Sequence, residues 1–323
     1  MKKFACLSKS TFSSLKFAIP SILTVILGKY LFETLAFDLP ALNDQLINSL
    51  VISDKAIPKS ISLLELKARL LWLTGVLLYI FVNLGFFSFL WGILKKNKYS
   101  EILTLLLITS FLIAIDLIYI LILNPDASPL VHIFHFNFDT LTASGLLSPI
   151  KLSAVKYIVN IVNFIAIIMV PFSIIIGCCI VKQKYENLAQ VNKQFLLLKD
   201  FINGASAIMV VGIIHMQLWL SWPLSLTPEL ANLNNLKDVI ATLIQYWGIF
   251  FTLTIAALYL PIAAHLRSKA YKFINEPDSL DNNNNSNQAL YQSATSKLPQ
   301  IAALLSPMLV GSVSPALASV FSG

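Results

Sequence analysis

The fold depends on the stretch LVHIFHFNFDTLTASGLLSPI, residues 130–150, which joins two long apolar runs at 102–123 and 155–181. Asp139 is the only acidic residue of the stretch, and a series of hydroxyl side chains and one glycine follows it before Pro149. A helix needs about 20 mostly apolar residues to cross a bilayer, so this stretch with its polar second half is too short to span. Its three phenylalanines also make it too apolar for a free loop. We therefore predict a loop that dips into the membrane between two spans.

Composition places the chain in lipid. Of its 323 residues, 57% are hydrophobic and 12% are charged, whereas a soluble domain has about 25% charged residues. The formal net charge is +7, and the cysteines, Cys6, Cys178 and Cys179, are too few for a disulfide framework. We read the short basic and apolar N-terminus as a retained first span and not as a cleaved signal.

Six apolar runs are long enough to span a membrane. They are residues 17–37, 70–94, 102–123, 155–181, 201–222 and 239–265. A seventh run, 298–321, contains Pro307, Gly311 and Pro315, which predicts a broken or re-entrant helix, with an interfacial tail as the alternative. The predicted fold class is all-α, a polytopic integral membrane protein with about six transmembrane helices plus this C-terminal segment.

The runs and the segments between them predict six regions. These are an N-terminal membrane region at 1–100 with an outer segment at 38–69, a candidate pore module at 101–181, a cytoplasmic amphipathic helix at 182–203, a C-terminal membrane pair at 204–274, a polar linker at 275–297 and a membrane-associated segment at 298–323. A heptad seam marks the start of the fifth span, formed by Leu188, Val191, Phe195, Leu198 and Ile202. Two heptads predict either a helix that leaves the membrane or one packed on its own protein.

The basic residues predict the orientation. With the N-terminus inside, 15 of the 23 Lys and Arg residues fall on inner segments and 7 on outer ones. This bias predicts that both termini lie in the cytoplasm. High use of Lys, Asn and Ile indicates a bacterial source, so the predicted location is the bacterial inner membrane. The positive inner face would suit an anionic ligand such as a nucleotide or oligonucleotide, or anionic lipid, although topology alone also explains the charge.

Polar residues inside the runs are the candidate functional side chains. Asp116 has the strongest claim, because a carboxylate within a span has to face protein or water. The others are Asn83, Asn160, Asn163, His215 and Gln245, and for each of them hydrogen bonding between helices is the structural alternative.

Signals of enzyme chemistry are missing from the sequence, which predicts no catalytic residue and no cofactor. The chain has no Walker loop, GxGxxG, HExxH, GxSxG or CxxC motif. His132, His135 and Asp139 have a loose metal-like spacing without a further ligand, so we predict no metal site.

Residues 138–149, FDTLTASGLLSP, resemble the pore helix and filter of the tetrameric potassium-type cation channels, whose sequence reads roughly TLTTVGYGDxSP. The TLT triplet at 140–142, the glycine at 145 and the SP pair at 148–149 match that pattern. The tyrosine, second glycine and aspartate of the family are missing, and Leu146 and Leu147 stand in that region. Potassium selectivity depends on that ring of backbone carbonyls, so the resemblance implies a pore but not potassium specificity.

The resemblance further implies a homotetramer in which hydroxyls and a glycine carbonyl replace the hydration shell of an ion. The residues that would line or border the path are Thr140, Thr142, Ser144, Gly145 and Asp116. The alternative for the segment is an interfacial aromatic loop that packs the helix bundle shut.

The sequence thus predicts an oligomeric gated ion channel of the inner membrane. By architecture alone the chain also resembles bacterial membrane effectors of antiphage defence, which disrupt the membrane potential on receiving a signal. Two alternatives are a small-solute or proton-coupled transporter, with Asp116 as the coupling site, and a structural or assembly subunit.

Overall fold

The computed structural model of the chain describes residues 14–35, 59–96, 99–122, 137–181, 185–226, 233–275 and 297–322. Seven long helices occupy most of these ranges. They are α1 (Ile19–Leu35), α2 (Lys59–Leu94), α3 (Tyr99–Ile122), α4 (Pro149–Cys178), α5 (Leu188–Ser221), α6 (Leu233–Asn275) and α7 (Lys297–Ser322). A short helix covers residues 137–143, and a 3-10 turn, Trp222–Leu226, follows α5. The described ranges contain no strand, which confirms the all-α prediction.

Four helices are long and apolar enough to cross a membrane. Their spans are Ser62–Leu94, Pro149–Cys178, Leu188–Leu226 and Lys237–Ile274, and they fit the predicted membrane protein. The first and third predicted spans do not qualify within the described residues. The reason is length, since α1 has 17 residues and the apolar part described for α3 is Glu101–Ile115.

Helix α7 is continuous, so the prediction of a broken C-terminal helix is wrong. Pro307 has no N–H to donate to the carbonyl of Ala303, four residues earlier. Ser306 Oγ donates to that carbonyl instead, at 2.8 Å. The Met308 N–H donates to Thr252 Oγ1 on α6, at 3.1 Å. Side chains of α7 and α6 therefore hydrogen-bond the backbone on either side of the proline.

Two glycines set the distance between α6 and α7. A Cβ added at Gly248 would lie 2.8 Å from the Pro307 carbonyl oxygen, and one added at Gly311 would lie 3.1 Å from the Ile244 carbonyl oxygen. The two backbones meet here because neither residue has a side chain. This contact, together with the packing of α7 on α5, makes α7 part of the bundle and not a loose tail.

The heptad seam at the start of α5 is buried inside its own chain. All five seam residues lie in one core cluster with the end of α4 and the end of α6: Leu188, Val191, Phe195, Leu198 and Ile202. The seam begins a helix that runs unbroken to Ser221, so residues 188–203 are the first turns of α5. This is the second of the two arrangements that the seam predicts, a helix packed on its own protein.

One end of the bundle gathers the predicted cytoplasmic segments. Ser14 Oγ donates to the Val181 carbonyl oxygen at 3.2 Å, which joins the chain before α1 to the chain after α4. The rings of Phe17 and His265 lie 5.3 Å apart, which joins the same chain end to the last turns of α6. Lys16 and Lys269 both lie close enough to His265 to act on its charge. Lys16 and Lys269, two of the basic residues that the sequence assigns to one side, therefore lie at the same end.

Candidate functional site: the 137–148 segment and two polar faces

The predicted pore segment begins with the short helix 137–143. Its last turn is closed by the Ser144 N–H, which donates to the Thr140 carbonyl at 3.0 Å, and by the Gly145 N–H, which donates to the Thr142 carbonyl at 3.2 Å. Gly145 has φ 64°, the left-handed conformation with which many helices end and which favours glycine. Ser148 is extended, with ψ 155°, and leads into α4. The order is thus short helix, glycine turn, extended residues and span.

Four of the five predicted path residues lie together in this segment. Thr140 is buried, whereas Thr142 and Gly145 are exposed and Ser144 is half-buried. The Thr142 hydroxyl donates to the Phe138 carbonyl at 2.7 Å. The Ser144 hydroxyl donates to the Leu141 carbonyl, also at 2.7 Å, so both hydroxyls bond within the segment. The fifth residue, Asp116, belongs to α3, and its side chain lies outside the described residues.

The segment is fixed to the C-terminal end of α5. The Asn137 side-chain amide donates to the Trp219 carbonyl. The Phe138 and Trp219 rings lie 5.4 Å apart, with a 58° angle between their planes. Leu141 and Leu147 are buried in the same core cluster as Trp219. Phe138 and Leu141 therefore act as anchors, and the polar residues between Thr142 and Ser148 stay at the surface.

Helix α4 carries a polar stripe on its exposed face. Ser153, Lys156, Asn160 and Asn163 follow one another at spacings of 3, 4 and 3, which places them on one face of a helix. The first three are exposed and Asn163 is half-buried. We call these four residues the α4 stripe. Predicted Asn160 and Asn163 thus lie together on one face of α4, while predicted Gln245 is exposed on α6.

A second polar face lies between α2 and α5. Trp72, Tyr79 and Asn83 on α2 and His215 and Trp219 on α5 are all buried, and we call them the α2–α5 cluster. Ring centroids are 5.4 Å apart for Trp72 and Trp219, 6.4 Å for Trp72 and His215, and 5.7 Å for Tyr79 and His215. The structure thus brings the predicted Asn83 and His215 onto the same interface.

A buried carboxylate lies where this interface reaches the C-terminal end of α5. Glu65 has 4% of its surface exposed. Its Oε1 accepts a hydrogen bond from Trp222 Nε1 at 3.2 Å, and Arg69 Nη2 lies 3.5 Å from its Oε2. The sequence reasoning missed this group because the second span was expected to start at residue 70. The missed signal is the spacing of Glu65, Arg69 and Trp72, which continues the buried face of α2 toward its N-terminal end.

Several buried atoms of this region have no hydrogen-bond partner among the described residues. They are Trp72 Nε1, Asn83 Oδ1, Asn137 Oδ1, His215 Nδ1 and Trp219 Nε1. An unsatisfied buried polar group costs about 1–3 kcal/mol, so these atoms are a destabilising feature of the bundle as described. No group of three His, Cys, Asp or Glu residues suited to a metal occurs in the described ranges, and His132 and His135 lie outside them.

Comparison of the chain with protein family models, curated proteins and solved structures found no match.

Proposed function

We propose that the chain is the subunit of a homo-oligomeric ion channel in which the α4 stripe lines a water-filled path. The observation that carries the proposal is the exposure of this stripe on a helix that can span the membrane. Facing lipid, a lysine near the helix centre costs about 2.5–3.5 kcal/mol. Lys156 could reach the interface with its flexible stem. Asn160, one turn deeper, has no such reach and needs water or another subunit.

The 137–148 segment supports the same arrangement. Three of its exposed residues, Thr142, Gly145 and Ser148, lie shortly before α4 in the chain. In an oligomer built around the α4 stripe, they would form the outer mouth of the path. Thr142→Trp at this mouth should reduce the conductance, while Ala143→Trp, one residue further along the chain, serves as the neighbouring control.

The charge of the stripe favours anions as the conducted ions. Lys156 is its only charged residue, and rings of Lys or Arg select anions in pores. The proposed anion selectivity differs from the cation selectivity of the channels that the segment resembles. This difference agrees with the sequence, because the tyrosine, second glycine and aspartate of those channels are missing here.

The test is the reversal potential of purified protein in planar bilayers under a potassium chloride gradient. Wild-type protein should reverse near the chloride potential, and Lys156→Glu should move the reversal toward the potassium potential. Lys151→Glu is the matched control, since Lys151 is also exposed but lies on the opposite side of α4. Absence of conductance in every condition, or equal shifts for the two variants, would refute the proposal.

The number of subunits and the signal remain predictions. The tetramer follows from the resemblance to potassium-type channels, and the anionic cytoplasmic ligand follows from the positive charge of the predicted inner face. The role in antiphage defence follows from the architecture alone. A four-fold particle in electron micrographs of the detergent-solubilised protein would support the tetramer, and a monomeric particle would contradict any channel built around the α4 stripe. Because the heptad seam is buried, we expect the signal to act on the exposed basic residues of that end.

A further inference from the structure

The chain that leads into α1 meets the last turns of α6 at a group of basic side chains. Phe17 and His265 lie far apart in the sequence, and their ring centroids are 5.3 Å apart. The Lys16 ammonium lies 5.2 Å from the centroid of the Phe17 ring. Lys16 and Lys269 both lie close enough to His265 to act on its charge. We call Lys16, His265 and Lys269 the α1–α6 cation cluster.

The described residues supply no negative charge to this cluster. The charged groups that act on His265 are Lys269 and Lys16, and both are positive. The described carboxylates of the same predicted side act elsewhere or are exposed; they are Glu101, which acts on Cys179, Glu186, which accepts a hydrogen bond from Gln190, and Asp200. Like charges that are held close together repel one another, so the cluster favours a bound anion.

The cluster lies at a boundary between charged and apolar sequence on both helices. Lys16 directly precedes the apolar run 17–37, and His265 ends the apolar run 239–265. Because the Phe17 and His265 rings are in contact, the two boundaries lie at the same level of the bundle. In a membrane protein such a boundary marks the edge of the hydrocarbon layer, where the lipid headgroups begin. The headgroup phosphates of a surrounding bilayer therefore lie at the depth of the cluster.

The surface beside the cluster suits an acyl chain. Ile19, Leu23 and Ile26 follow one another at spacings of 4 and 3, which places them on one face of α1. All three are exposed, by 54% to 59% of their surface. Lys16, which is also exposed, comes three residues before Ile19. A basic group at the end of an exposed apolar face matches a phospholipid better than a free phosphate, which has no apolar part.

We propose that the α1–α6 cation cluster binds the phosphate group of an anionic phospholipid, whose acyl chain lies along the apolar face of α1. Ammonium and imidazole N–H groups donate charge-assisted hydrogen bonds to phosphate oxygens. Ser14, two residues before Lys16, donates to the Val181 carbonyl oxygen after α4. A bound lipid therefore ties the start of α1 to the ends of α4 and α6. This site goes beyond the proposed channel and needs neither an oligomer nor the α4 stripe.

The test is native mass spectrometry of the full-length protein in detergent, which counts the lipid molecules that stay bound. Phosphatidylglycerol is the probe, and phosphatidylcholine is the control because its headgroup cation neutralises the same phosphate. Wild-type protein should bind phosphatidylglycerol in preference to phosphatidylcholine, and an excess of inorganic phosphate should not displace it. Equal binding of the two lipids would overturn the proposal. Displacement by inorganic phosphate would also overturn it, because the site would then be one for free phosphate.

A pair of double variants locates the site. Lys16→Gln with Lys269→Gln removes two charges from the cluster and should weaken phosphatidylglycerol binding at least about tenfold. Lys95→Gln with Lys96→Gln is the matched control, because it removes the same charge from two exposed residues after α2, on the same predicted side. The control should change the binding less than about twofold. Equal losses in the two double variants would mean a general attraction to basic residues and would overturn the proposal.

A single substitution covers the case in which the double variant of the cluster fails to fold in size-exclusion chromatography. Lys16 is exposed, so Lys16→Gln leaves the packed core unchanged, and it should lower phosphatidylglycerol binding severalfold. Lys95→Gln is its control, since the Lys95 ammonium also lies beside a ring, 5.9 Å from the centroid of Trp91. Wild-type binding in folded Lys16→Gln would overturn the proposal. The measurement involves no conductance, so its outcome is distinguishable from that of the proposed channel.

Discussion

The close contact between α6 and α7 gives the most direct test of the fold. In Gly248→Ala the new methyl group would lie 2.8 Å from the Pro307 carbonyl oxygen and 3.4 Å from the Gly311 Cα. The first of these distances is too short for a carbon and a backbone oxygen. Because both neighbours are backbone atoms of α7, the strain cannot be relieved by turning a side chain, and α7 as a whole has to move.

The expected change in the free energy of unfolding is the balance of two opposing effects. Overpacking costs about 1–3 kcal/mol, and replacing a helical glycine by alanine returns up to about 1 kcal/mol. Gly85→Ala isolates the second term, since a Cβ at Gly85 meets nothing within 4 Å. We expect Gly248→Ala to be about 1–3 kcal/mol less stable than Gly85→Ala. Gly311→Ala, with its nearest atom at 3.1 Å, should fall between the two.

The assay is reversible unfolding by sodium dodecyl sulfate in mixed micelles, followed by circular dichroism. All three variants are compared at the same protein and detergent concentration. If Gly248→Ala and Gly85→Ala agree within about 0.5 kcal/mol, the range of ordinary surface substitutions, then α7 does not pack on α6 as described.

Three further changes probe single contacts. Trp222→Phe removes the N–H that donates a hydrogen bond to Glu65. We expect the free energy of unfolding to fall by about 1–3 kcal/mol in the same assay. Tyr259→Phe removes the hydroxyl that donates to Gln300 Oε1 at 2.5 Å, and we expect a loss of about 1 kcal/mol. Burial raises the pKa of the Cys179 thiol to about 12, so little of it is thiolate at lower pH. The rate of its labelling by N-ethylmaleimide should therefore keep rising as the pH is raised to about 10.

Each of these changes has a control. Trp91→Phe and Tyr271→Phe alter exposed rings of the same types and should leave stability within about 0.5 kcal/mol of wild type. Labelling of Cys179 is measured in a Cys6→Ser, Cys178→Ala background. A labelling rate that levels off near pH 9 would mean an ordinary thiol in contact with water, contrary to the burial described.

The membrane spans could be read from the sequence because run length and apolarity determine them directly. Four of the six predicted runs coincide with helices that can span. The prediction of a broken α7 was wrong because it considered the prolines and left out the side chains that form hydrogen bonds beside them. Ser306 and Thr252 replace the hydrogen bonds affected by Pro307, and such partners become visible only when the helices are packed.

The candidate sites could be predicted only in part. Spacing alone places Asn160 and Asn163 on one face, but only the packing of the other helices shows that this face points outward. Likewise, Asn83 and His215 stand out as polar residues in apolar runs, yet 132 residues of sequence separate them. Glu65 was missed because a span boundary drawn from hydropathy excludes a carboxylate that tertiary contacts bury.

The grouping of Trp72, Trp219 and Trp222 has an optical consequence. Their ring centroids lie 5.1 to 5.9 Å apart, so the three indoles exchange excitation energy far faster than any of them emits. Much of the intrinsic fluorescence of the protein therefore reports on the junction where α2 meets the end of α5. A change in that emission signals that the junction has opened, and no external dye has to be attached.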